Sequence, residues 1–235
     1  MTWGARLQIQ DFGGSFQGFI EAFQRRYDND GTALQLAQMV TDTFPSFRDE
    51  LWFEGRRGQH TAFASSPTTR ILYRHNTDRS PIHLHRTVFF WKRAQIMIAE
   101  TWAAFSPSSD TDPHPLFPHG IGQLTMFADY RVPQILHHLR ILTYAPTLVS
   151  SLNAHEEFPS GAREEIAIRA ASIIAVERVA AALRADGRAP AGTSSVLIDF
   201  FLWDLAKRLE VGQDRIEGIK TRPMLPAHRT RCTWY

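Results

Sequence analysis

Apolar side chains recur at helical spacing through most of this chain, and the clearest example lies in residues 85–105. One stripe, with intervals of three and four residues, consists of Trp91, Gln95, Ile98, Trp102 and Phe105. Side chains at this spacing lie on one face of an α-helix, and large apolar groups on that face must be covered by other parts of the chain. The segment therefore predicts a long, mostly buried helix.

Further segments with the same period lie on both sides of it. Ser15, Thr32 and Ser194 each precede such a segment and belong to the residue types that cap helix N-termini. The fold class is therefore predicted to be all-α, as a single compact helical domain over 1–235, with N-terminal helices in 1–60, a core in 85–235 and one short β-hairpin near 60–85. The additional helices are expected over 15–27, 33–43, 134–142, 148–155, 159–185 and 195–210.

The composition favours a globular protein without a membrane anchor. Hydrophobic residues make up 43% of the 235 residues, enough for a substantial core. The formal charge of +2 is too small for a dedicated nucleic-acid-binding protein. No apolar run reaches the length of a transmembrane helix, and residues 1–8 lack the apolar core of a signal peptide. We therefore expect a cytoplasmic location, with neither a membrane partner nor a stable nucleic-acid complex.

A helix interrupted by proline is predicted in residues 123–134. Pro133 disfavours helical geometry at the preceding residue, so the first helix is expected to end near Tyr130 and a second to begin at the proline. Asp129, Tyr130 and Arg131 lie at this junction, ahead of free backbone N–H groups that favour negative charge. These side chains either form a site or serve as a capping aspartate and a surface arginine.

Four other charged residues fall on or beside apolar helix surfaces, where an unpaired charge is costly. Lys92 adjoins the apolar stripe of the strongest helix, and Glu177 falls in the apolar line of the 159–185 helix. Asp199 and Asp204 lie about 140° apart on the last helix. One of these two is expected to be buried and paired, with an arginine of the C-terminal tail as a candidate partner. Glu177 is either a ligand-binding group or part of a structural ion pair, and Lys92 is either a phosphate ligand or a solvated cation.

The C-terminal tail, residues 218–235, contains four basic residues and no acidic one. Such a tail is either solvated or an anion clamp, and its aromatic end suggests that it docks on the core. Elsewhere the chain lacks a glycine-rich phosphate loop and the common zinc and nucleophile motifs. Its histidine pairs lack carboxylates at metal-ligand spacing, and Cys232 is the only cysteine. We therefore expect no metal and no cofactor.

Five separated blocks resemble the queuosine salvage protein family: Phe90–Ile96, Leu124–Gln134, Ala167–Glu177, Val196–Asp204 and His228–Tyr235. They occur in the family's order, and a weaker likeness is present in residues 14–49. The resemblance implies a helical protein similar to DNA glycosylases. It also implies an enzyme that hydrolyses the N-glycosidic bond of queuosine 5′-monophosphate, releasing queuine and ribose 5-phosphate so that the base is reused in tRNA modification.

The same resemblance implies the site residues. Asp129 and Lys92 match the family's active-site aspartate and lysine and are the expected catalytic residues. The residues expected to bind the small-molecule nucleotide are Tyr130, Arg131, Gln134, Phe127, Glu177, Asp199, Asp204, Arg229 and Arg231.

The expected roles follow from the chemistry of the reaction. Cleavage builds positive charge on the ribose, which the Asp129 carboxylate stabilises while it orients the attacking water. Lys92 and the two tail arginines are candidates for binding the 5′-phosphate. Asp199 or Glu177 is a candidate for holding the edge of the base, and stacking is expected from Trp91, Phe127 or Tyr130.

Two departures from the family pattern support an alternative. Family members are expected to be longer at the N-terminus, and residues 119–122 stand where an acidic run often occurs. The alternative is therefore an N-terminally shortened, non-catalytic member that binds a nucleotide or a protein partner. A third hypothesis, a glycosylase acting on nucleic acid, is disfavoured by the low net charge.

Overall fold

The structure, a computed structural model, describes residues 11–54, 73–75, 85–107, 112–117, 119–190, 192–212 and 216–235. They belong to two compact units, each built from two separate stretches of chain. The first unit contains the residues up to Asp49 and Trp91–Leu124, and the second contains Glu50–Phe90 and Thr125–Tyr235. The described elements, in chain order, are helices α1 (Phe16–Arg26) and α2 (Ala33–Thr43), strands β1 (Glu50–Glu54), β2 (Tyr73–His75) and β3 (His85–Phe89), and helices α3 (Lys92–Ala104), α4 (Arg131–His138), α5 (Pro146–Asn153), α6 (Arg163–Ala185) and α7 (Ser195–Glu210).

In the first unit, α1 and α2 begin at the predicted caps. The Ser15 hydroxyl accepts a backbone N–H from the first turn of α1 at 3.0 Å. Thr32 and Gln35 form a capping box, in which each side chain accepts the other residue's backbone N–H. Caps of this kind satisfy N–H groups that have no partner within the helix. The buried faces of the two helices carry Phe19, Ile20, Phe23, Leu36, Ala37, Met39 and Val40.

The helix predicted over 85–105 is shorter than expected at its N-terminal end. Helix α3 begins at Lys92, whereas His85–Phe89 form strand β3. Between them, Trp91 has a φ of 46°, in the left-handed region that large side chains rarely adopt. The prediction was therefore wrong for the first residues, because the helical period begins only at Trp91.

The proline-rich segment after α3 packs against that helix. Among its described residues, His114 and Phe117 are buried in the first unit. The His114 Nε2 atom lies 3.1 Å from the Trp102 carbonyl, and its Nδ1 atom accepts the N–H of Leu116 at 3.2 Å. This part of the segment is thus fastened to α3 by one side chain.

The second unit contains a three-stranded antiparallel sheet with the order β1–β3–β2. Leu51 on β1 stands opposite Val88 on β3, and both side chains are buried. Most of the predicted hairpin near 60–85 lies outside the described residues. The sequence did not indicate β1, because Glu50–Glu54 lack a clear alternation of apolar and polar side chains.

Helices α4, α6 and α7 pack with the sheet around the hydrophobic core of the second unit. The core side chains come from every one of these elements and include Leu51, Val88, Phe90, Val132, Ile135, Leu136, Ile166, Ile173, Val176, Ile198, Leu202 and Leu205. The described residues are mostly helical with one small sheet, so the predicted fold class is confirmed. Among the described helices, none combines the length and the apolar character needed to cross a membrane.

Residues 125–130 are not helical, contrary to the prediction. Side chains from other helices bind two of their backbone groups, and the Asp129 N–H donates to the Phe127 carbonyl at 2.6 Å. The Phe127 N–H donates to the Asp199 carboxylate at 2.9 Å, and the Ala128 carbonyl accepts from Arg169 Nε at 2.8 Å. These contacts take the place of the i→i−4 hydrogen bonds that the same backbone groups would form in a helix.

Helix α4 begins two residues before Pro133, where the second helix was predicted to begin, and it ends at His138, before the predicted end at residue 142. Val132, expected to be extended, lies in its first turn, followed by Pro133. A proline is tolerated there because the first N–H groups of a helix have no partner within it. The prediction for Val132 was wrong because the preference of a pre-proline residue is weaker than the cap described below.

The C-terminal tail is docked on the second unit, as its aromatic end suggested. The Arg222 N–H donates to the His138 carbonyl at 2.9 Å, at the end of α4. The Gln134 side chain donates to the Leu225 carbonyl at 2.6 Å. Farther along, the Arg229 carbonyl accepts the Phe158 N–H at 2.8 Å.

Candidate active site

Asp129 is buried at the start of α4, with 7% of its surface exposed. Its Oδ1 atom accepts the N–H of Arg131 at 2.9 Å and the N–H of Val132 at 3.0 Å. The carboxylate therefore caps the helix and lies where the helix dipole favours a negative charge. The sequence left open whether Asp129 is a helix cap or part of a site. Its Oδ1 atom acts as a helix cap, but its burial distinguishes the carboxylate from an ordinary surface cap.

The turn that carries Asp129 is fastened by two buried side chains from other helices. Asp199 of α7 is 3% exposed and accepts the N–H of Phe127. Arg169 of α6 is 0% exposed and donates to the carbonyl of Ala128, next to the aspartate. The prediction that one of the two α7 aspartates is buried is confirmed for Asp199.

Arg169 belongs to a polar network buried inside the second unit. Its Nη1 atom lies 3.3 Å from Oε1 of Glu165, which is also 0% exposed. Its guanidinium group lies 4.0 Å from the centre of the Phe90 ring and 5.3 Å from that of Tyr235. Planar stacking and charge-assisted hydrogen bonds make a buried arginine tolerable, because the cost of removing its charge from water is otherwise large.

The Tyr235 hydroxyl joins this network to His228. It donates to Glu165 Oε1 at 3.2 Å and lies 2.8 Å from His228 Nε2. A tyrosine hydroxyl has one proton, and it is used on the glutamate, so the histidine nitrogen is the donor to the tyrosine oxygen. The other oxygen of Glu165 accepts the N–H of Gly161 at 2.6 Å. The last described residue of the tail is therefore tied into the interior of the unit.

A solvent-open pocket of about 420 Å³ lies beside this network. Its volume lies within the roughly 300–1,000 Å³ that is usual for small-molecule sites. The ring of Tyr130 lies 6.4 Å from that of Tyr235, centre to centre. The described residues that line the pocket are Tyr130, Glu157, Ala227, His228, Arg229, Thr230, Arg231 and Tyr235.

The charge of the pocket favours an anion. Arg229 and Arg231 are exposed and contribute two positive charges, against one carboxylate from Glu157. The Thr230 hydroxyl oxygen is buried and has no hydrogen-bond partner among the described residues. Two guanidinium groups and a buried hydroxyl can together bind the oxygens of a phosphate. Three predicted residues, Tyr130, Arg229 and Arg231, are thus brought together here, and Asp129 precedes Tyr130 in the chain.

Arg131 and Gln134, predicted to bind substrate, have partners on α7 and in the tail. The Arg131 guanidinium is paired with Glu210 at 2.7 Å and lies 5.9 Å from the centre of the Tyr130 ring. Gln134 holds the tail through the Leu225 carbonyl. Both contacts support the walls of the pocket, since they fix the elements on which Tyr130 and the tail residues lie.

The remaining predicted residues of the second unit have contacts that support its helices. Phe127 packs edge-on against Phe200, with ring centres 5.7 Å apart. Glu177, expected on the buried face, is half-buried and accepts a hydrogen bond from the Ser195 hydroxyl at 2.6 Å. Asp204 is exposed and paired with Arg208, one turn later on α7. The first contact joins the 125–130 segment to α7, the second joins α6 to α7, and the third lies on the surface of α7.

Lys92, the second predicted catalytic residue, belongs to the first unit. It is the first residue of α3 and is 9% exposed. Its backbone N–H donates to Oδ2 of Asp49, a fully buried carboxylate, at 3.3 Å. Asp49 thus caps the helix that carries Lys92, as Asp129 caps α4.

Histidines 137 and 138 lie at the C-terminal end of α4. The ring of His137 is buried and stacks on Tyr144 with centres 4.8 Å apart. Burial, together with the charges of Arg222 and His138, lowers the pKa of His137 from its ordinary value of 6.5. Within the described part of the chain, no group of three His, Cys, Asp or Glu side chains is placed to hold a metal ion.

Sequence reasoning missed several residues around the candidate site. Glu165 was not among the predicted site residues, and Arg169 was included only within a block that resembles the family. Neither has a local signal of burial. The residues missed in the network and the pocket are Glu157, Glu165, Arg169, Thr230, His228 and Tyr235, of which the last three lie in a block that carried the family resemblance.

Fold and site together define a mostly helical protein with an arginine-lined pocket next to a buried, helix-capping aspartate. A family model described as "Queuosine salvage protein" matches residues 73–235. The chain therefore belongs to the queuosine salvage protein family.

Curated relatives match nearly the whole chain. It is 36% identical over 224 residues to a protein of Sphaerobacter thermophilus, a match that covers 95% of this chain and 52% of that protein. It is 32% identical over 234 residues to a Mus musculus protein, covering 98% and 54%. For a Schizosaccharomyces pombe protein the identity is 28% over 235 residues, covering 100% and 55%. All three are named queuosine 5′-phosphate N-glycosylase/hydrolase. The chain spans about half the length of the curated relatives it matches.

Proposed function

We propose that this protein hydrolyses the N-glycosidic bond of queuosine 5′-monophosphate and releases queuine and ribose 5-phosphate. Family membership supports the reaction type, and so does the name that the curated relatives share. The observation that carries the proposal is the pocket in which Tyr130, Arg229 and Arg231 meet, next to the turn of Asp129. A nucleoside monophosphate has the two features that this pocket suits, a phosphate and planar or sugar groups that contact aromatic rings.

In the proposed reaction the bond between C1′ of the ribose and the base nitrogen breaks, and its electron pair leaves with the base. Positive charge then develops on the ribose ring. The negative charge of Asp129 stabilises it and orients a water molecule, whose oxygen bonds to C1′. One water proton reaches the departing base nitrogen by way of the active-site groups and solvent. The products are the free base and a ribose 5-phosphate that retains the water oxygen.

The phosphate is proposed to bind in the arginine-lined pocket. Arg229 and Arg231 supply charge-assisted donors to its oxygens, and the buried Thr230 hydroxyl supplies a further one. Tyr130 and Tyr235 form the aromatic walls. Because both arginines are exposed, we expect them to contribute mainly to substrate affinity and less to the chemical step.

Lys92 is proposed as the second catalytic residue because it matches the family's active-site lysine. Asp199, Glu177, Asp204, Arg131 and Gln134 are proposed to support the site through the contacts described above. The proposed partner is a small nucleotide free of nucleic acid, and the cytoplasmic location stays a prediction.

The test is release of queuine from queuosine 5′-monophosphate by the full chain, followed by chromatography. Guanosine 5′-monophosphate is the control substrate, because it has the same phosphate and ribose with an unmodified base. Asp129→Asn and Lys92→Ala are each expected to reduce release strongly. Arg178→Ala, an exposed cation on α6, is the matched control and is expected to have no effect.

Three outcomes contradict the proposal. Binding of the monophosphate without any release of base favours the non-catalytic alternative. Release that persists unchanged in Asp129→Asn and Lys92→Ala contradicts the assignment of the catalytic residues. Salt-sensitive binding to tRNA or duplex, with none to the mononucleotide, favours a protein that acts on nucleic acid.

A further inference from the structure

One fully buried side chain, Arg169, contacts both the turn that carries Asp129 and the polar network beside the pocket. Arg169 donates from Nε to the Ala128 carbonyl at 2.8 Å and from Nη1 to Glu165 at 3.3 Å. Its guanidinium carbon lies 4.0 Å from the centre of the Phe90 ring and 5.3 Å from that of Tyr235. An arginine without exposed surface is costly to fold, so its retention in the interior needs a reason beyond stability.

The geometry of the two donors supplies that reason. The Ala128 carbonyl belongs to the peptide bond that ends at the Asp129 nitrogen, so a donor fixed on this oxygen fixes the orientation of the next residue. The carbonyl accepts from Nε, while Nη1 is directed at the glutamate of the same helix. A planar guanidinium group with several donors therefore fixes the turn relative to α6.

We propose that Arg169 is a positioning residue for the reaction: it holds the Ala128–Asp129 peptide so that the Asp129 carboxylate keeps one orientation. This inference rests on the proposed function, because it assumes that Asp129 acts on the substrate. Arg169 acts through the backbone of the turn and makes no contact with the substrate itself.

Tyr235 extends this role to the pocket. Its ring covers the guanidinium group of Arg169 and faces Tyr130, and its hydroxyl bonds to Glu165, the ion-pair partner of the arginine. The turn on one side and the pocket wall on the other therefore share a single buried support. A displacement of the arginine is expected to alter the turn first, since that contact is the shorter hydrogen bond.

The experiment replaces arginine by lysine, which keeps the charge and loses the planar set of donors. Arg169→Lys is compared with wild type and with Arg178→Lys, the same change at an exposed position of α6. Steady-state kinetics with queuosine 5′-monophosphate give kcat and KM separately. Hydrogen exchange measures protection of the Arg131 and Val132 amides, the two groups that donate to Asp129.

A positioning role predicts a split between the two kinetic constants. A misplacement of a catalytic group by about 1 Å costs on the order of 100-fold in rate, so kcat is expected to fall by about that factor in Arg169→Lys. KM is expected to stay near the wild-type value, because the pocket arginines are unchanged. The two amides are expected to lose protection. Arg178→Lys is expected to match wild type in every measurement.

A purely structural role predicts something else. In that event Arg169→Lys melts at a lower temperature, but kcat per folded molecule and the protection of both amides stay at wild-type values, and the proposal is overturned. If Arg169→Lys does not fold, the double variant Glu165→Gln, Arg169→Gln removes both buried charges and is expected to show the same loss of kcat and protection.

The two proposals fail in distinguishable ways. If wild-type protein releases no queuine, the proposed function fails, and amide protection alone decides whether Arg169 positions the turn. If wild type is active and Arg169→Lys retains both its kcat and its amide protection, the positioning role fails while the function stands.

Discussion

The Asp129 carboxylate has two roles in our account, as a helix cap and as the charge that stabilises the ribose, and two substitutions separate them. Asp129→Asn removes the negative charge but keeps an oxygen that can accept the N–H groups of Arg131 and Val132. Asp129→Ala removes the charge and the acceptor together. The predicted order is therefore different for stability and for activity.

The size of each effect follows from the contacts that each substitution removes. Losing the cap costs about 0.5–2 kcal/mol, and losing the charge at a helix N-terminus costs roughly 0.3–1 kcal/mol. In a chain of this length 1 kcal/mol shifts Tm by about 2–4 °C. Asp129→Ala, at about 2 kcal/mol, is expected to lower Tm by about 4–8 °C, and Asp129→Asn by only about 1–4 °C. Both are expected to lower kcat by about 10²–10³-fold, as for other single electrostatic groups in active sites.

Thermal unfolding and queuine release, measured on the same preparations, provide the assay. Activity is compared at a temperature where all three proteins are folded, so that lower stability does not appear as lower kcat. If Asp129→Asn keeps wild-type activity while Asp129→Ala loses it, the group acts only as a cap and the charge is not catalytic. If Asp129→Ala melts with wild type, the two N–H bonds do not stabilise α4 and our reading of the turn is wrong.

Three further predictions test the surrounding structure. Asp199→Ala leaves the buried N–H of Phe127 without its acceptor and is expected to lower the free energy of unfolding by roughly 1–3 kcal/mol. Asp204→Ala, exposed on the same helix, is expected to change this free energy by less than about 0.5 kcal/mol. Urea unfolding of the two variants measures both values. Arg229→Ala and Arg231→Ala are each expected to raise KM for the monophosphate about tenfold, equivalent to ~1.4 kcal/mol, while kcat changes little; an unchanged KM contradicts phosphate binding in the pocket. Burial lowers the pKa of His137, so the unfolded state binds its proton more readily, and stability is expected to fall as the pH drops below the ordinary value of 6.5. His137→Phe keeps an aromatic ring and is expected to weaken that pH dependence in thermal unfolding between neutral and mildly acidic pH.

The elements that were predicted well depend on signals within a few residues. Ser15, Thr32 and Ser194 cap the helices that follow them because a side-chain oxygen and the N–H groups it accepts lie in one turn. The predictions failed where a distant group decides the conformation. Residues 125–130 have a helix-like sequence pattern, but Arg169 and Asp199 bind their backbone.

The candidate site shows the same division. Residue type and position at a helix break singled out Asp129, and the family resemblance added the tail arginines. The contact of Tyr130 with Tyr235, however, joins residues at opposite ends of the second unit's longer stretch of chain. Glu157 reaches the pocket only because its segment pairs with Arg229. No local sequence pattern indicates such pairings, so the residues that line the pocket could be identified only from the structure.

Helix α6 explains why the buried polar network had no signal in the sequence. One line of this helix, Ile166, Ala170 and Ile173, is apolar and predicted the buried face correctly. A glutamate followed by an arginine four residues later is, by contrast, typical of a solvent-exposed face. The face of α6 that carries Glu165 and Arg169 is buried as well. Backbone groups at Ala128 and Gly161 and the hydroxyl of Tyr235 form hydrogen bonds with these two charged side chains. A charged stripe on a helix can therefore be recognised as interior only when the groups that pair with it are known, and here those groups belong to the candidate catalytic turn and the pocket wall. The members of this stripe are Glu165, Arg169, Ser172 and Val176.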